Sequence, residues 1–135
     1  MNEIGINNKT KSRLNLKVIR GVAEKFLRIN KINNKVLSIA FVGDKEMRRL
    51  NNKYRQKNRP TDILSFAGED DFLGEIIMDY AQIRRQAKVF KNKIDDELYF
   101  ILIHGLLHLS GYDDETKKGK KEMEEIGNKF FKKIL

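Results

Sequence analysis

The chain contains no cysteine. That excludes a disulfide framework, and with it any disulfide partner, and it excludes a thiolate metal site. His, Asp and Glu remain as the donors for a tightly held transition metal. A reducing cytoplasm fits this composition and is the expected location. Proline is almost missing as well, the one example being Pro60. No apolar run approaches the roughly 20 residues that a membrane span requires, so no membrane partner is expected. The N-terminal "MNEIGINNKTKSRLNLK" has no apolar segment ending in a small-residue cleavage site, and no secretion signal is expected. Histidine is scarce. Its two copies both fall within "HGLLHLSGYDD", His104 to Asp114.

What is present is mostly charge. Lys and Arg number 28 against 19 Asp and Glu, a formal net charge of +9. Such an excess favours a polyanionic partner, nucleic acid before an acidic membrane or an acidic protein. The chain is also generally rich in Lys, Asn and Ile, so charge alone gives only a direction. At 135 residues with 40% hydrophobic composition, the chain is long enough to bury a core. No repeat or low-complexity linker interrupts it, and one domain over residues 1–135 is expected.

Periodicity predicts a short strand at Glu3 to Asn7. Leu16, Ile19, Ala23 and Phe26 follow helical spacing, which predicts an amphipathic helix near residues 11–30. "KVLSIAFVG" reads as a strand ending at Gly43. Asp44 is expected to cap the next helix, with Met47, Leu50 and Tyr54 on one face. "ILSF" and "LGEIIMD" are two further strands joined by the acidic turn "AGEDDF". Asp79 is a second cap, opening a helix marked by Tyr80, Ile83, Ala87 and Phe90. "DDELYFILIHGLLHL" starts with acids that suit a helix N-terminus and is then apolar almost all round, so a central, buried helix is expected. Met123, Ile126, Phe130 and Ile134 mark a last helix covering the core. The fold class is α+β: a small mixed four-stranded sheet packed with about five helices, with the metal site on a central helix.

Residues four apart on a helix lie only about 40° out of register, so His104 and His108 project from one face on successive turns. Ser110-Gly111 should end that helix, and the reversal can return Asp113 or Asp114 towards the imidazoles. The spacing H-x-x-x-H-x-x-G-x-x-D is that of the extended zincin motif with Asp in its last place. Three protein ligands leave a tetrahedral ion one open position, as at a catalytic zinc. The bland reading is a pair of buried neutral histidines satisfied by backbone or water. A peptidase is disfavoured, because the general-base Glu that follows the first His in zincins is here Gly105.

"HGLLHLSGYDD" resembles the H-G-x-L-H-L-x-G-Y-D-H signature of the YbeY family, bacterial rRNA maturation factors and metal-dependent endoribonucleases. "YRQKNRPTDILSF" is similar to that family's Y-R-x-K-x-x-P-T-D-V-L-S-F segment, and "LGEIIM" to its L-G-D-I segment. The likeness runs from about Val36 to Met123. It implies His104 and His108 as the first two metal ligands, with Asp114 standing where the family has a third histidine. A carboxylate there has a shorter stem and lowers the ion's Lewis acidity. Asp113 matches the family's Asp, a residue able to orient a histidine or to act as base. Arg55 matches the arginine of Y-R-x-K and suits a phosphate. Lys57 and Arg59 add positive charge for RNA beside it. Pro60 suits the start of an edge strand, with Thr61-Asp62 lining a groove. Ala67 stands where the family has Pro, Glu75 where it has Asp, and Met123 is expected to pack on the metal helix.

The resemblance thus implies a metal-dependent endoribonuclease in ribosomal RNA processing, maturing the 3′ end of the small-subunit RNA and serving ribosome quality control. Its cofactor is expected to be one zinc ion, or another divalent metal in its place. Its partners are ribosomal RNA and the small ribosomal subunit. Arg55 and His104 are the expected catalytic residues. The rival readings are a metal-stabilised RNA-binding assembly factor that does not cut and, less favoured, a metallopeptidase.

Overall fold

The computed structural model describes residues 1–112 and 115–135. Along the chain run β1 (Glu3–Asn8), α1 (Leu16–Ile29), β2 (Val36–Val42), α2 (Asp44–Arg55), β3 (Ile63–Ala67), β4 (Phe72–Asp79), α3 (Tyr80–Phe90), α4 (Ile94–Leu109) and α5 (Lys117–Ile134). The strands form one mixed sheet in the order β1-β2-β4-β3. β1 and β2 are parallel, as are β2 and β4, and β3 returns antiparallel to β4. The expected α+β class, with four strands and five helices among the described residues, is what the chain adopts.

The two faces of the sheet are covered unequally. On one side α1, α4 and α5 bury the larger core, including Phe26, Leu27, Ile39, Ile76, Leu102 and Met123. On the other, α2 closes a smaller core of Val42, Met47, Leu64 and Ile77. Period-two alternation assigns β3 to both: Leu64 faces α2, whereas Ile63 and Ser65 face α4 at Gly105. α4 is apolar on nearly every side and nine of its residues are buried, which makes it the central helix of the larger layer. Met123 lies in the same core as α4, as its apolar side chain predicted.

Several boundaries differ from the sequence reading for local reasons. α1 begins at Leu16 because the Asn15 side chain accepts from the Val18 N–H at 3.2 Å and so caps the helix there. Asp44 is not a cap. Gly43 occupies that position without a side-chain bond, and the Asp44 carboxylate instead takes both arms of the Arg85 guanidinium at 2.8 and 3.0 Å. Asp79 does cap α3, accepting from Gln82 N–H at 3.2 Å. The acidic turn is shorter than expected, since Ala67 and Phe72 already belong to the strands. α4 ends where Ser110 and Gly111 predicted, with Gly111 at φ 101° and Tyr112 N–H returning to the Leu107 carbonyl at 3.1 Å.

A candidate active site at the free edge of the sheet

β3 is an edge strand, so one of its sides has no neighbouring strand. Along that side lies a cleft of about 720 Å³. α4 forms one wall and supplies His104 and His108. Their rings are 5.1 Å apart between centroids and inclined at 77°, both half-buried. The one-turn spacing therefore delivers both imidazoles to one opening, as expected.

Gly105 explains how α4 comes this close to β3. A Cβ there would stand 2.6 Å from Ile63 Cδ1 and 3.2 Å from Ser65 Oγ. The position that carries the general base in a zincin is here turned into the sheet, where a glutamate has no room.

Arg55 reaches the same cleft from the opposite side of the sheet. It is the last residue of α2, which Gln56 terminates in the left-handed conformation at φ 56°. Beyond it, fully buried Asn51 holds the loop: its Nδ2 donates to the Arg59 carbonyl at 2.8 Å, and its own carbonyl accepts from Lys57 N–H at 3.4 Å. Lys57 and Arg59 are exposed on this loop and do not line the cleft. Pro60 precedes edge strand β3, the place expected of it.

Asp62 lines the cleft and is held firmly. Gln86 Nε2 donates to its Oδ2 at 3.1 Å, and the Thr61 hydroxyl donates to its Oδ1 at 3.4 Å. Glu97 and Glu115 also contribute to the lining. Glu75 does not; it accepts from the Ser38 hydroxyl at 3.2 Å within the sheet. Asp113 and Asp114, the expected orienting residue and third ligand, lie outside the described residues. Among the described residues no group of three His, Asp or Glu side chains could hold a metal ion. The pair His104–His108 supplies two imidazole donors of the kind zinc takes, and a complete set needs one more from the chain.

Two aromatic residues are open to solvent at the site. Tyr54, which shares a face of α2 with Met47 and Leu50, is 51% exposed and lines the cleft, packed edge-on against Phe66 with centroids 5.0 Å apart. Phe90, which marks α3 by its spacing from Ile83 and Ala87, is 64% exposed on the cleft's rim. Gln86, Glu97, Phe100 and Glu115 line the cleft although nothing in the sequence marks them as site residues. Gln86 could have been found only from its position one turn before Phe90, on the helix following the P-T-D segment's partner strand.

Behind the cleft lies a second electrostatic feature. Asp79 is fully buried, and burial, followed by the neighbouring Asp44 carboxyl, raises its pKa to about 7. Asp44 moves the other way, to about 2, because the Arg85 guanidinium binds its carboxylate. A connected series runs from Arg85 to Gln82 at 2.6 Å, Gln82 to Gln86 at 3.2 Å, and Gln86 to Asp62 in the cleft.

Comparison with known proteins gives one consistent result. The family model described as Endoribonuclease YbeY matches residues 4–135. An Endoribonuclease YbeY of Petrotoga mobilis is 37% identical, with 96% of this chain and 93% of that protein covered. One from Mycoplasmopsis synoviae is 38% identical over 85% of this chain and 81% of its own length. The solution structure of a Thermotoga maritima protein superposes with a TM-score of 0.71 at 32% identity, covering 97% of this chain and 88% of that one.

Proposed function

This chain belongs to the YbeY endoribonuclease family, and from that premise we propose that it cleaves ribosomal RNA with a divalent ion, zinc first, held by His104, His108 and Asp114. The observation that carries the reading is convergence: Arg55 from α2 and the two histidines from α4 open into one cleft from opposite sides of β3.

Bound there, a divalent ion supplies Lewis acidity towards a phosphodiester and acidifies water. Arg55 carries a permanent positive charge in a planar fork and stabilises the charge that develops on the phosphate during cleavage. His104 and His108 present imidazole nitrogens from one helical face, and the apolar seating of α4 fixes their orientation. Asp113 orients a histidine or takes a proton. Lys57 and Arg59 hold RNA outside the cleft. Small-subunit RNA processing in the cytoplasm, including 3′-end maturation and ribosome quality control, accords with the family and the basic charge. No helix among the described residues is long and apolar enough to cross a membrane.

The aspartate at the third ligand position favours a second reading, a metal-stabilised assembly factor that binds RNA without cutting it. One assay separates them: a structured ribosomal RNA fragment incubated with native protein, with and without chelator, beside His108→Ala and Arg55→Ala. On the nuclease reading both variants lose about 10²-fold or more in rate, chelator abolishes cleavage, and elemental analysis finds about one bound ion per chain in the native protein and in Arg55→Ala but not in His108→Ala. Cleavage undiminished in both variants would overturn the assignment. RNA binding without cleavage by native protein would establish the assembly-factor reading.

A further inference from the structure

A second groove adjoins the cleft and carries no basic residue at all. It is a depression of about 450 Å³ between α4 and α5, closed at one end by the C-terminus of α3. Phe90, Phe100 and Phe131 line it together with Asp96, Glu97 and Glu124. Phe100 and Phe131 meet edge-on with centroids 6.2 Å apart and make the floor. Phe90 is 64% exposed, and Val89 and Ile94 beside it are also open to solvent. In a chain of net charge +9, no lysine or arginine lines this groove. Neither ion pair formed among the described residues, Arg49 with Glu46 and Arg85 with Asp44, involves its carboxylates.

The geometry is that of a seat for a helix. Asp96 and Phe100 stand one turn apart on α4, and Glu124, Asn128 and Phe131 follow a stripe on α5. The groove between two such ridges is a channel of the kind into which a third helix can pack. Aromatic side chains exposed in a channel are costly in water and mark a docking surface. The carboxylates decide the sign of the occupant: three acids around an apolar floor repel RNA phosphates and attract lysine or arginine.

We propose that this groove docks an amphipathic, cationic helix of a partner protein, its apolar residues on the three phenylalanines and its basic residues on Asp96, Glu97 and Glu124. Glu97, Phe90 and Phe100 also line the active-site cleft, so a docked partner sits beside the RNA path. Such a partner brings its own positive charge to a groove whose lining has none.

The test uses a labelled helix-forming peptide with leucine along one face and arginine on both flanks, beside the same peptide with glutamate in place of arginine. Fluorescence anisotropy should give saturable binding of the arginine peptide and none of the glutamate peptide. Asp96→Asn with Glu124→Gln, both exposed positions, should weaken the arginine peptide about tenfold. Phe90→Ser should weaken it by a similar factor, with circular dichroism confirming an intact fold. Equal binding of the two peptides, or unchanged affinity in the neutralised variant, would overturn the proposal. So would sedimentation showing native dimers that Phe90→Ser dissolves, because a second copy would then own the groove.

Discussion

Gly105 shows how one missing side chain shapes the site. Its hydrogen is all that separates α4 from Ile63 and Ser65 on β3, so the seating of the two histidines depends on it. Gly105→Ala should destabilise the fold by about 1–3 kcal/mol through overpacking. The thermal midpoint should fall by several degrees, and affinity for the proposed metal ion should fall with it. Adding Ile63→Ala should recover part of both losses, because the closest contact is the end of that side chain. Asp79 makes a different prediction. Its folded pKa of about 7 lies above the usual 3.8, so the folded state binds a proton that the unfolded state has already released. Stability from this group is therefore greatest at low pH and is lost as pH rises through about 4 to 7. Asp44 has the opposite sign, its contribution being lost as pH falls towards about 2. Asp79→Asn keeps a good helix cap and cannot ionise. It should melt a few degrees higher than native protein at pH 8 and lose that advantage near pH 5, as calorimetry at the two values would show.

At the scale of elements, α2 is a helix whose end matters more than its body. Its apolar face is small, and Asn51 ties its last turn to the loop bearing Lys57 and Arg59. Asn51→Leu has similar volume and also removes Oδ1, which is buried without a donor among the described residues. The net stability change should therefore stay within about 1 kcal/mol. The loop, however, loses its anchor: amide exchange over residues 57–59 should accelerate, and KM for RNA should rise while kcat changes less. Unaltered exchange would mean that the backbone bonds alone hold the loop. Elements of this kind were legible in the sequence because periodicity reports which residues share a face. It does not report whether anything covers that face. Tyr54 and Phe90 keep helical spacing with their apolar neighbours, yet each falls in the last turn of its helix and stays more than half exposed. Their exposure is a tertiary fact. The histidines were legible for the converse reason, since a spacing of four residues on one helix fixes their relation without help from the rest of the fold. Arg55 was found by its motif, and only the fold explains why a residue on the other face of the sheet meets them.

Across the whole molecule, the net charge of +9 and the lining of the cleft point in different directions. The cleft holds Arg55 against Asp62, Glu97 and Glu115, so its own lining is a poor trap for a polyanion. Attraction for RNA must therefore come from residues outside it, of which the loop carrying Lys57 and Arg59 lies next to Arg55. An RNA strand neutralised at about five phosphates should show a slope near −3.5 in log affinity against log salt, an affinity loss of about 10²-fold between ~50 and ~200 mM. Replacing Lys57 and Arg59 together by glutamine should reduce that slope by about 1.4, from two lost phosphate contacts. KM should rise with kcat nearly constant, whereas Arg55→Ala should lower kcat itself if, as proposed above, its charge acts on the reacting phosphate. A slope unchanged in the double variant would move the RNA path off this loop and onto another basic surface, such as the lysines of α5. The division of labour between a weakly charged cleft that reacts and a basic exterior that binds would then stand with a different exterior.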